Sequence, residues 1–148
     1  MKIIDPPVIV EETFPVERKV LWKIITELDH MHNWFFDSIP AFEPVVGFET
    51  SFILSTGQRE FDHVWMIVEV IPEVKIVYDW SYTDYQGRGE VSFELVSLGS
   101  QTKLILSNLT KEDWQEDIPE FRRESAEGGW DYFIRQNLKK YVAELDLQ

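Results

Sequence analysis

Three histidines, His30, His32 and His63, and two polar residues on otherwise apolar runs, Glu12 and Asn108, are the side chains best suited to chemistry in this sequence. Asp29-His30-Met31-His32, taken with Asp62-His63, supplies metal-ligating residue types. A His-x-His pair on a helix, however, points its rings to nearly opposite faces, so joint ligation is awkward and no metal is expected. His63 can serve as acid or base near neutral pH, but no partner for it is visible. Glu12 alternates with Val8, Val10 and Phe14. A carboxyl buried on that face would have a raised pKa unless paired, whereas a place at an open mouth or a bulge would leave it solvated. Asn108 continues the face of Leu104 and Leu106. The chain has no nucleophile elbow, Walker loop or dinucleotide fingerprint, and Gly87-Arg88-Gly89 reads as a hairpin turn. It has no cysteine, which excludes disulfides, thiolate zinc sites and cysteine nucleophiles. No catalytic residue and no cofactor is expected.

These residues must be positioned by elements that the hydrophobic pattern outlines. Val8 to Phe14 reads as a strand. A helical period follows through Val16, Val20, Leu21, Ile24, Ile25 and Leu28, with Pro15 suited to its first turn. Asp29 can cap a short second helix from His30 to about Phe36. Residues 37–47 carry Pro40, Pro44 and Gly47 and read as loop. Alternating runs then predict strands at Phe48–Leu54, Phe61–Val70, Lys75–Tyr82, Glu90–Val96 and Thr102–Leu109, linked as hairpins. Phe61–Val70 is apolar on both faces, so alternation does not decide whether Trp65 or Met66 points inward. Pro119 fits the first turn of the last helix. There Trp130, Phe133, Ile134, Leu138, Tyr141, Val142 and Leu145 form one apolar stripe. One long helix covers one face of a sheet, so the sheet must curl around it, leaving room for a cavity between them.

Composition bounds the function. A chain of 148 residues suits one domain, spanning 1–148. Its 14 basic and 27 acidic residues leave a net charge of -13, which argues against nucleic-acid and membrane-surface binding. The start, Met1 to Pro7, lacks the apolar run of a signal peptide, and no stretch approaches the ~18 apolar residues of a membrane span. A cytoplasmic location is expected.

Four segments carry a resemblance to a known family. Phe14-Pro15 leads into Val20-Leu21-Trp22 and Thr26, and Trp34 is followed by Gly47 and Phe52. Val68-Glu69-Val70-Ile71-Pro72 runs into Ile76-Val77-Tyr78-Asp79-Trp80. Thr102-Lys103-Leu104-Ile105-Leu106 is followed, after a spacer, by Gly129-Trp130. Over essentially the whole chain this order resembles the START-like (polyketide-cyclase or birch-pollen-allergen) superfamily. Within it, the order is most similar to the family homologous to the C-terminal domain of the heat-shock-protein ATPase activator. Asn108 stands where relatives often carry histidine. The resemblance implies an α+β helix-grip fold: a curved antiparallel sheet wrapped around a long C-terminal helix, with two short helices after the first strand. It implies an apolar internal cavity but no one activity.

The facing apolar stripes and the resemblance together lead us to expect non-catalytic binding of a small, mostly apolar ligand between the sheet and the last helix. Trp80, Phe93, Trp130 and Phe133 would supply walls, with Trp34, Phe52 and Ile134 beside them. Asn108 or Tyr78 would supply a hydrogen bond. A chaperone partner is what the nearest family implies. A cyclase- or hydrolase-type enzyme would need His63 or Glu12 as a base. Gly128-Gly129 inside the last helix costs about 2 kcal/mol relative to alanine. Either close packing of the helix on the sheet or an opening of the cavity beside Trp130 must explain the pair. Lys111–Asp117 reads as a solvated acidic loop anchored by Trp114.

Overall fold

A computed structural model describes residues 1–145. Strand β1 (Val8–Phe14) is followed by helices α1 (Arg18–Thr26) and α2 (Leu28–Trp34). Five strands succeed them: β2 (Glu49–Ser55), β3 (Glu60–Ile71), β4 (Lys75–Tyr82), β5 (Arg88–Ser97) and β6 (Thr102–Glu112). All neighbours pair antiparallel, in the order β1-β6-β5-β4-β3-β2. The strands from β2 to β6 are a meander, and β1 closes the far edge by pairing Val8 with Asn108 and Phe14 with Thr102. A single 3₁₀ turn (Pro119–Phe121) precedes the C-terminal helix. That helix runs as α3 (Arg123–Trp130), a π-helical stretch (Asp131–Leu138) and α4 (Lys139–Glu144), with helical backbone angles at both junctions. The fold is the expected α+β helix grip: a curved sheet around a long last helix.

Several boundaries differ from the expected ones. Helix α1 starts at Arg18, so Pro15 precedes it rather than entering its first turn. Helix α2 starts at Leu28, which places Asp29 inside its first turn instead of at the cap. Pro119 opens the 3₁₀ turn, not the long helix. Strand β5 begins at Arg88, extending the hairpin towards Gly87.

On β3 the ambiguity resolves through a bulge. Phe61, His63, Trp65 and Ile67 are buried, while Val64 and Met66 lie on the other face. The register with β4 slips between Ile67 and Glu69, so the inward phase passes to Val70, which packs on the core. A bulge adds one residue and reverses the alternation beyond it. The reversal accounts for Val70, while Val64 and Met66, before the bulge, are half-buried apolar residues on the outer face.

The C-terminal stripe has a related cause. Trp130, Ile134, Leu138 and Val142 are buried at intervals of four. In a regular α-helix a spacing of four drifts about 40° per step and would carry the last of them off the core. The wider π stretch absorbs that drift and holds the four side chains against the sheet. Core rings meet around Phe35, which stacks on Trp34 at 4.6 Å, lies 5.4 Å from Trp65 and 5.0 Å from Phe133. The Trp34 indole N–H donates to the Ile24 carbonyl at 2.9 Å, satisfying an end group of α1 from within the core.

Candidate functional site: a half-filled core

The interior between sheet and last helix is filled at one end and hollow at the other. At the filled end, Tyr78, Phe93 and Ile134 are almost fully buried, and Tyr78 and Phe93 lie 5.7 Å apart. Trp80 and Trp130 meet edge to face at 5.6 Å and mark the boundary. Beyond them a cavity of about 380 Å³ extends towards the β2–β3 hairpin.

Each wall comes from a different element. The sheet contributes Leu54, Phe61, Trp80, Tyr82 and Val91, and the helix contributes Ala126, Gly129, Trp130 and Phe133. Phe36, just after α2, reaches Phe133 at 4.9 Å and His63 at 5.2 Å. Trp114 and Phe121, from the segment between β6 and the helix, close the hairpin end and lie 5.2 Å apart. Trp114 is held there by the β4–β5 hairpin. A Cβ added at Gly87 (φ 123°) would come within 2.4 Å of its ring, so only glycine lets the indole seat. The expectation of a loop anchored by Trp114 thus has a specific seat.

The polar side chains on this apolar wall are few. His63 is only 4% exposed. Its Nδ1 lies 3.0 Å from the Phe61 carbonyl. A carbonyl only accepts, so Nδ1 carries the proton and Nε2 is left as an acceptor. Burial pushes the imidazole down to about 4, against the opposing pull of that carbonyl and of the Asp62 carboxylate. Beside it, at 4.8 Å between rings, stands Tyr82, its register partner on β4. The Trp80 indole N–H donates to the Tyr82 hydroxyl at 2.9 Å, which leaves that hydroxyl its own proton to give. Burial raises the Tyr82 phenol to about 12, although the Trp80 bond opposes the rise. Asn108 lines the wall two strands away. At the rim, Glu120 accepts from Arg59 at 3.1 Å and from Thr56 at 3.1 Å, tying the β2–β3 hairpin to the 3₁₀ turn.

Of the residues expected to meet a ligand, Trp80, Asn108, Trp130 and Phe133 line the cavity. Trp34, Phe52, Tyr78, Phe93 and Ile134 lie in the filled core behind it. Phe36, Phe61, His63, Tyr82, Trp114 and Phe121 were not in the expected set. Tyr82 shares the β4 face with Trp80, a signal present in the sequence. Phe61 and His63 share a phase with Trp65, but the apolar Val64 and Met66 on the opposite face obscure it.

Glu12 is not a buried acid. Its carboxylate pairs with Lys139 at 3.0 Å and accepts from the Thr13 N–H at 3.0 Å. Partial burial would raise its pKa, but these hydrogen bonds and the Lys139 and Arg135 charges outweigh that and lower it. The other histidines serve elsewhere: His30 bonds to the Tyr141 hydroxyl at 2.6 Å and His32 to the Ile39 carbonyl at 2.8 Å. Among the described residues, no group of three or more His, Asp or Glu stands together to hold a metal. Nor is any helix among them long and apolar enough to cross a membrane. A Cβ added at Gly128 or Gly129 would meet nothing within 4 Å, so close packing of the helix on the sheet does not explain the pair. Gly129 instead faces the cavity.

Comparison with known proteins agrees with this architecture. No curated protein sequence matches the chain. Among solved structures, DynU16, a protein of the dynemicin biosynthetic locus, superposes with a TM-score of 0.74 at 20% identity over 95% of this chain. The chain spans only 48% of DynU16. Protein MLL2253 from Mesorhizobium loti superposes at 0.72 with 23% identity, covering 95% of this chain and 99% of that one. The Aha1 dimer from Colwellia psychrerythraea superposes at 0.68 with 16% identity, covering 92% and 95%. At these identities the likeness is one of fold. Residues 15–143 match the sequence pattern of the activator of Hsp90 ATPase homolog 1-like proteins, and the chain belongs to that family.

Proposed function

We propose that this protein is a non-catalytic binding protein for a small, mostly apolar molecule held between the sheet and the C-terminal helix. The observation that carries the reading is the cavity of about 380 Å³, walled by aromatic side chains yet carrying unused hydrogen-bonding capacity: the second ring nitrogen of His63, the Tyr82 O–H, and the Trp114 indole N–H, which has no partner among the described residues. Its size is at the lower end of ordinary small-molecule sites, and its mix of apolar walls and few polar anchors is typical of them. Trp80, Trp130, Phe133 and Asn108 are the ligand contacts we infer, with His63 and Tyr82 added. Catalysis is disfavoured because the buried base has no carboxylate behind it: His63 Nδ1 is committed to a backbone carbonyl, and Glu12 is committed to Lys139. The cysteine-free chain fits the cytoplasm, where we place it. The test is native mass spectrometry of the purified protein together with a thermal-shift screen of uncharged apolar compounds. A ligand at a hundred times its Kd should stabilise the fold by about 2.7 kcal/mol. A screen in which no apolar compound shifts the melting temperature would overturn the reading.

Membership of the family supports a second reading, a module that acts on an Hsp90-type chaperone. The net charge of -13 suits a basic patch on such a partner. It predicts salt-sensitive capture of the chaperone and faster ATP hydrolysis. No binding at low salt would rule it out.

A further inference from the structure

Building on the small-molecule reading, we propose that His63 and Tyr82 form the specificity pair of the cavity, and that its ligand is an uncharged ring compound whose hydroxyl donates to His63 Nε2 and accepts from Tyr82. The two side chains face each other across the β3–β4 pairing, with ring centres 4.8 Å apart. Their own hydrogen bonds set the polarity each presents. His63 spends its N–H on the Phe61 carbonyl and keeps a lone pair. Tyr82 spends a lone pair on Trp80 and keeps an O–H. One acceptor beside one donor is the complement of a hydroxyl, the smallest group that serves both. A ligand with neither function would leave both groups desolvated and unpaired, which is the basis of strong discrimination in buried sites.

The surroundings argue against an anion. An anion has no proton for His63 Nε2, and the Arg59 guanidinium at the rim is committed to Glu120. Burial also holds His63 neutral at physiological pH, so it supplies no positive charge. The body of the ligand follows from the walls. The flat faces and edges of Trp80, Trp114, Phe121 and Trp130 suit a planar ring system. A volume of about 380 Å³ equals about a dozen water volumes, enough for a two-ring compound.

Four naphthalenes isolate each element of the proposal: 2-naphthol, 2-methoxynaphthalene (accepts but cannot donate), naphthalene and 2-naphthoate. Affinities would be measured by calorimetry on the intact chain, with the ¹⁵N resonance of His63 Nε2 followed in parallel. The expected result is that 2-naphthol binds about tenfold more tightly than its methyl ether, and that it alone moves the Nε2 resonance. His63→Leu should reduce the preference for 2-naphthol over its methyl ether from about tenfold to about equal affinity. Should His63→Leu not fold, Tyr82→Phe and the wild-type resonance carry the same test. Equal affinity for alcohol, ether and hydrocarbon would overturn the pair and leave the small-molecule reading standing. Tighter binding of 2-naphthoate would overturn it by showing that His63 takes up a proton. Failure of every naphthalene to bind would overturn the pair as a site for flat ring compounds, and the thermal-shift screen decides the small-molecule reading separately.

Discussion

Lowering the pH from 7 to 5 should destabilise this protein chiefly through one imidazole. His63 is buried, its Nε2 has no partner among the described residues, and burial holds its pKa at about 4, against 6.5 for a solvated histidine. The unfolded chain therefore binds a proton at this side chain over a pH range in which the native state does not. Stability rises with pH wherever the unfolded state holds more protons, so the contribution is fully present above 6.5 and is lost as the pH falls through about 4. The gap corresponds to about 3 kcal/mol in total, of which about 2 kcal/mol is already lost at pH 5. The assay is urea denaturation at half-unit steps from pH 4 to pH 7, on the wild type and on His63→Gln. Other groups titrate in both proteins, so the difference between the two curves isolates His63. It should change by about 2 kcal/mol between pH 7 and pH 5, with the wild type losing more. Parallel curves across that window would refute the reasoning, because they would mean that His63 protonates as easily folded as unfolded.

Three further outcomes follow from the packing. Gly128→Ala should raise stability by about 1 kcal/mol in thermal or urea unfolding, since helix propensity improves and the added methyl meets open space. Gly129→Leu should leave the far-ultraviolet circular dichroism unchanged but abolish the thermal shift from any cavity ligand, because the side chain enters the hollow end. Trp34→Phe should cost about 2–3 kcal/mol in urea denaturation, from the lost bond to the Ile24 carbonyl and the smaller ring in a filled core.

Much of this architecture is legible without coordinates. Period-two alternation in Lys75–Tyr82 and in Thr102–Leu109, and the stripe from Trp130 to Leu145, each state which face must be hidden. A run of hairpin strands followed by one amphipathic helix has few ways to hide them all. The helix grip therefore follows from local pattern and from the family likeness together. The cavity is different in kind. Whether Trp80 and Phe93 meet a ligand or only each other depends on where rings from distant segments stop touching. That point is set by three features that local pattern does not reveal: the bulge at Ile67/Glu69, the turn that buries both Phe35 and Phe36, and the seating of Trp114 on Gly87. Glu12 shows the same division. Its place on an apolar strand face was plain, but the lysine that neutralises it, Lys139, is 127 positions away in the chain. Sequence alone determined the elements and their buried faces, because alternation and helical period are local properties. Tertiary structure alone decided that the core is filled around Tyr78 and hollow around His63, because packing is a sum over contacts between residues far apart in the chain.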